Sequence, residues 1–143
     1  MLNVAVMACA LVAATVVVHA IGIAVLLKTL LGRHPQLPIH VWPMIKLVVG
    51  MTWALILIHL IEVAIWALFF LWAECLPDAE SAFYFSGVTY ATVGYGDVVL
   101  PQPWRLLGPL EGLTGILMCG LSTGFFFAVF SRILGARLKS DSQ

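Results

Sequence analysis

Three long apolar runs decide what this chain can fold into. The first extends from Val4 to Leu27 and is interrupted only by Thr15, His19 and Gly22. As a helix it reaches roughly 36 Å, enough to cross the hydrocarbon core of a bilayer. The second runs from about Ile45 to Trp72, with Lys46 at its start and His59 and Glu62 inside, and the third from about Trp104 to Leu134. Both are long enough to span with tilt. The composition agrees: 62% of residues are hydrophobic and 10% charged, against about 25% charged in an ordinary soluble domain. A single small domain leaves too much surface exposed to hide that apolar content in water, which argues against a soluble enzyme. A formal net charge of zero gives no basic field with which to hold nucleic acid. Cys9, Cys75 and Cys119 lie far apart without CxxC spacing, so they suggest neither a disulfide framework nor a zinc site.

The segments between the runs set the organisation. An N-terminal span occupies residues 1–28. Residues 29–44 read as a loop, because Gly32, Pro35, Pro38 and Pro43 punctuate a stretch that also holds Arg33, His34 and His40. A larger unit covers 45–135, and a short polar tail covers 136–143. A cleaved leader is the competing reading of residues 1–20, but Met1-Leu2-Asn3 lacks the basic n-region of such leaders. Glu74 to Pro103 is too polar to span. Within it, Pro77 and Asp78 give a helix start signal, and Ala79 to Ala91 make about three turns. Two glycines follow, Gly94 and Gly96. A short helix followed by a glycine-bearing segment reads as a re-entrant loop, since non-helical backbone at membrane depth must be buried in protein or line water. The expected fold is therefore an all-α membrane protein with three transmembrane helices and a re-entrant element between the second and third. Six of the seven basic residues flank the first loop and the C-terminus. That bias places those segments in the cytoplasm and the N-terminus outside, in a multi-pass protein of the cell membrane.

Residues 92–97 read Thr-Val-Gly-Tyr-Gly-Asp. A cation that sheds its water needs rings of oxygen ligands, and backbone carbonyls are the densest source of them. Successive carbonyls face one axis only if some residues take left-handed φ/ψ, which Gly94 and Gly96 adopt cheaply. Val93 and Tyr95 alternate with them and pack outward, and the Thr92 hydroxyl adds one further ring. One chain supplies one wall, so closure demands copies around an axis.

Those six residues resemble the signature filter of the potassium channels, specifically the short bacterial pore modules, and the resemblance extends over roughly residues 45–134. It implies a homotetramer in the lipid bilayer that conducts K+ passively, with K+ ions held by Thr92, Val93, Gly94, Tyr95 and Gly96 and no other cofactor. Tyr84 falls where many relatives carry a tryptophan that donates to the aspartate after the filter, so Tyr84 is expected to donate to Asp97. Phe85 has no donor, which leaves the Tyr95 hydroxyl to lean on Thr89. Val88 stands where some relatives place a glutamate, and Glu111 is the expected substitute, reaching Tyr90 or Thr89. Gly115 takes the place of a hinge glycine. With Cys119, Thr123 and Phe127 it recurs every fourth residue along one helical face, which by resemblance lines the cavity, with Phe127 as a candidate gate. Gly108, Gly112, Gly120 and Gly124 offer small surfaces for close helix approach.

His19, His59 and Glu62 remain as polar intruders in the apolar runs. His59 and Glu62 share a helix face and read as a buried hydrogen-bonded pair, or as a proton sensor. Three other functions compete with the channel, one of them that of a non-conducting accessory subunit. A channel-related potassium transporter subunit normally has a degraded filter with one glycine per loop, and this one has two. An electron carrier would use the two membrane histidines to ligate haem.

Overall fold

The computed structural model describes residues 2–33 and 41–140. They form four α-helices, α1 (Leu2–Arg33), α2 (Val41–Trp72), α3 (Ala79–Tyr90) and α4 (Leu107–Ser140), with a 3-10 turn at Gln102–Trp104. Three segments, Asn3–Leu30, Val41–Trp72 and Gln102–Gly135, are long and apolar enough to cross a membrane. The protein is all-α and multi-pass, with the short α3 and its following loop between the last two spans.

The helix boundaries follow from local chemistry. Asp78 caps α3, its side chain accepting from the Ser81 amide at 2.7 Å. Pro43 and Pro109 both sit in the first turn of their helices, where a missing N–H costs nothing. Helix α2 ends on Glu74 in the left-handed region (φ 51°). The Glu74 amide donates to Leu71 and the Cys75 amide to Phe70, the paired bonds of a Schellman cap.

The helices claim more of the chain than the sequence suggested. The loop expected over 29–44 loses its ends, because α1 runs to Arg33 and α2 starts at Val41; the remainder, including His34, Pro35, Pro38 and His40, lies outside the described residues. The tail expected over 136–143 continues α4 as far as Ser140, and 141–143 are likewise outside. At its other end α4 starts at Leu107 rather than Trp104, since the 3-10 turn takes up the residues before it. Glu111 is therefore about one turn into the helix, not two.

The core gathers where α2 ends and α3 and α4 begin. Ala8 and Leu11 of α1 pack there with Trp66, Ala67 and Phe70 of α2, Ala82 and Phe85 of α3, and Leu107 of α4. Phe70 is its hub, fully buried and edge-on to Phe85 with ring centroids 5.4 Å apart. Phe70→Ala would cost about 3–5 kcal/mol. The first helix packs on α2 and α4 and turns an apolar stripe, including Val6, Val17, Ile21 and Val25, outward.

Candidate functional site

The site begins where α3 stops. After Ala91, the Thr92 amide donates to the Thr89 carbonyl at 2.9 Å and the Val93 amide to Val88 at 2.8 Å, a second Schellman cap with Thr92 in the left-handed position glycine usually fills. Thr92 has φ 60°. For a β-branched residue this is a strained backbone, of the kind that persists at functional sites. The Gly94 amide also reaches the Val88 carbonyl, at 3.2 Å, so the first half of the loop hangs from the last turn of α3.

Left-handed residues then recur at every second position: Thr92 at 60°, Gly94 at 53° and Gly96 at 79°, while Val93 and Tyr95 between them do not share that sign. Alternation of this kind turns successive peptide planes so that their carbonyls can share one side of the strand. The sequence reading assigned the unusual φ to the two glycines alone, and Thr92 is an addition. No Cβ-blocking atom lies within 4 Å of Gly94 or Gly96, so glycine serves conformation there, not space. Within one chain the loop is uncovered, with Val93 50% and Tyr95 71% exposed.

The loop's far end is held by Tyr84, whose hydroxyl donates to Asp97 Oδ2 at 2.6 Å, while Asp97 Oδ1 accepts from the Val98 amide at 3.1 Å. The Tyr84 hydroxyl holds the Asp97 carboxyl below the usual carboxylate range, and the same bond to the carboxylate pushes the Tyr84 phenol up. The expected contact between Tyr95 and Thr89 is not made within one chain, since the Tyr95 ring points away into the open.

Glu111 does not reach Tyr90 or Thr89 as expected. Starting one turn into α4 puts it opposite Ser86, and the two side chains are hydrogen-bonded. Both are fully buried, and Glu111 Oε2 has no partner. The Ser86 hydroxyl is also 2.9 Å from the Val63 carbonyl. One hydroxyl proton cannot serve two acceptors, so the arrangement is satisfied when the Glu111 carboxyl itself carries a proton.

A second polar cluster lies deeper and joins all four helices. Glu62, fully buried on α2, faces His19 Nδ1 of α1 at 2.8 Å and His59 Nδ1 at 2.9 Å, and it accepts a hydrogen bond from the Tyr90 hydroxyl of α3. His59 Nε2 lies 3.1 Å from Ser122 Oγ of α4. The sequence brought only His59 and Glu62 together. His19 was visible as an interruption of the first run, but pairing it with Glu62 needs the packing of α1 on α2. That packing is fixed one turn away on each helix by Trp66 Nε1 donating to Thr15 Oγ1 at 3.0 Å.

Along α4, the four residues spaced by four do not form one face. Gly115 is buried against α3, where an added Cβ would overlap the Tyr90 carbonyl, while Cys119, Thr123 and Phe127 are exposed within one chain. The cause is geometric: a step of four residues drifts about 40° around a 3.6-residue helix, so the row turns from α3 toward the outside of the chain. Close approach, not hinging, is what the surroundings of Gly115 require.

Three helices long and apolar enough to span, with a capped short helix and a strained loop between the last two, make an all-α multi-pass membrane fold. The sequence model of the ion channel family matches residues 47–132, more than half of the chain, from the second turn of α2 through most of α4. The chain belongs to the ion channel family. No curated protein and no solved structure matches it.

Proposed function

We propose that this channel is potassium-selective and that Thr92 to Gly96 form its filter. The observation that carries the reading is the alternation of left-handed residues at Thr92, Gly94 and Gly96. It lets consecutive carbonyls line one axis and replace the hydration shell of K+. Four copies of the chain around that axis close the filter. The exposed Val93 and Tyr95, and an apolar groove of about 550 Å³ behind the loop bounded by Val88, Gly94, Val99 and Pro109, are the surfaces that neighbouring copies cover. The exposed row Cys119, Thr123 and Phe127 faces the water-filled vestibule, with the Phe127 rings as the gate. Asp97, Tyr84, Thr89 and Glu111 support the loop from outside the ion path. The protein sits in the cell membrane with its N-terminus outside and its C-terminus in the cytoplasm, as the basic residues direct.

The haem-carrier reading loses support from the same geometry. His19 and His59 turn their Nδ1 atoms onto one carboxylate with ring centroids 5.5 Å apart, which leaves no slot for a macrocycle. Reconstitution into liposomes tests the proposal. Uptake of potassium down its gradient, with sodium uptake lower by orders of magnitude, is the expected result, and equal uptake of the two refutes it.

A further inference from the structure

The filter hangs from the last turn of α3, and that turn ends in Tyr90. The Tyr90 hydroxyl is given to Glu62, and Glu62 is gripped from the opposite side by the first helix through His19. Resting on the filter reading above, we infer that Glu62 is a positioning residue for the filter. It acts through Tyr90, and its hold depends on the contacts that His19 and His59 make to it.

The donor count supports an ionised Glu62. Three side chains converge on its two oxygens, and a carboxylate accepts them all without a proton of its own. A single extra proton on one of the two imidazoles would neutralise that charge inside the bilayer. His59 is the better carrier of it, because its second nitrogen meets Ser122 at 3.1 Å, whereas His19 Nε2 is buried without a partner. A second proton has no good site. On His19 it leaves an N–H aimed at apolar surroundings, and on Glu62 it turns an acceptor into a donor that competes with Tyr90. The titratable groups of the cluster are His19 from α1, His59 and Glu62 from α2 and Tyr90 from α3; α4 meets it with Ser122, and its Cys119 and Glu111 lie near Tyr90 without a bond to the cluster. A further proton forced onto the cluster by acid therefore competes with Tyr90 for Glu62.

A metal ion is the other occupant that two histidines and a glutamate suggest, since their ligand atoms lie within 4.8 Å of one another. The spacing favours protons. Neighbouring ligands of a tetrahedral zinc stand roughly 3.3 Å apart, whereas here they meet at 2.8 and 2.9 Å. His19 also lacks the outer partner that orients a ligating imidazole. The inference gives the first helix a place in the conduction unit: its His19 is one bond from Glu62 and two from the pore helix.

The test is the ratio of K+ to Na+ flux in liposomes holding the full chain, measured at about pH 7.5 and about pH 5. The wild type is expected to lose about tenfold of its selectivity in acid, the loss that breaking one hydrogen bond to a charged group produces. Tyr90→Phe deletes a single oxygen and keeps the ring. It is expected to show the acid level of selectivity at both pH values, with a flat profile, and His19→Leu to flatten the profile as well. Glu62→Gln, which cannot titrate, should match Tyr90→Phe; if it fails to fold, Tyr90→Phe decides alone. A Tyr90→Phe channel with wild-type selectivity and the wild-type pH profile overturns the inference and leaves the filter reading standing. A wild type that passes both ions equally at both pH values removes the filter reading, and this inference with it.

Discussion

At the scale of single residues, the loop shows which positions serve backbone and which serve side chain. Gly96 has open space where a Cβ would stand and φ 79°, so Gly96→Ala meets only a conformational cost, about 1–2 kcal/mol. In a loop whose carbonyls must stay aligned that is enough, and Gly96→Ala is expected to abolish selective K+ flux while the protein still folds. Normal selectivity in this variant would mean the loop is not the filter. Tyr84 and Asp97 make a different kind of claim, about pH. The carboxyl is held low by the phenol and the phenol high by the carboxylate. The depressed Asp97 contributes stability above its unfolded pKa of about 4 and loses it as pH falls through the folded value. The raised Tyr84 contributes fully below about 10 and loses it as pH climbs through its folded value. The stability difference between wild type and Tyr84→Phe, read by thermal unfolding, should therefore be constant from about pH 5 to 9 and shrink toward both extremes. A difference that changes steadily across neutral pH would contradict the pairing.

At the scale of elements, much was legible in the sequence, and the misses have causes. Asp78 and the residues after it announce α3 because an N-cap is a local event, satisfied by Ser81 three residues on. The left-handed Thr92 was not legible, because threonine there is set by the cap bonds to Val88 and Thr89 and not by its own propensity. The drift of α4 was missed because period four approximates a helix face over two turns but not over the span from Gly115 to Phe127. Two predictions depend on where that helix turns. Cys119, exposed on α4, is expected to meet its copies around the vestibule and bind a soft cation. Cytoplasmic cadmium should block the wild type and spare Cys119→Ser, and equal block of both would place the thiol elsewhere. Phe127, 70% exposed, is expected to form an apolar neck that stops ions by dewetting. Phe127→Ala should raise basal flux and Phe127→Asn raise it further by wetting the neck. Wild-type flux from both would move the gate toward the filter and Glu111.

At the scale of the whole molecule, the fold class follows from three apolar runs, but the polar clusters inside it do not. Nothing local to His19 announces Glu62, which is 43 residues away; their meeting depends on how α1 lies on α2. The same holds for Glu111 and Ser86, which the start of α4 brings together. Both clusters are held between helices of one chain, with His59 part-exposed. The proposed filter is different: its Val93 and Tyr95, exposed within one chain, are expected to be covered by copies around an axis, and ion selectivity is the property the proposal assigns to that assembly. Its most direct test is the reversal potential of purified protein in a planar bilayer, with potassium on one side and sodium at equal concentration on the other. The account predicts a reversal potential far from zero, with the sodium side positive enough to hold potassium back, and a reversal near zero would contradict it.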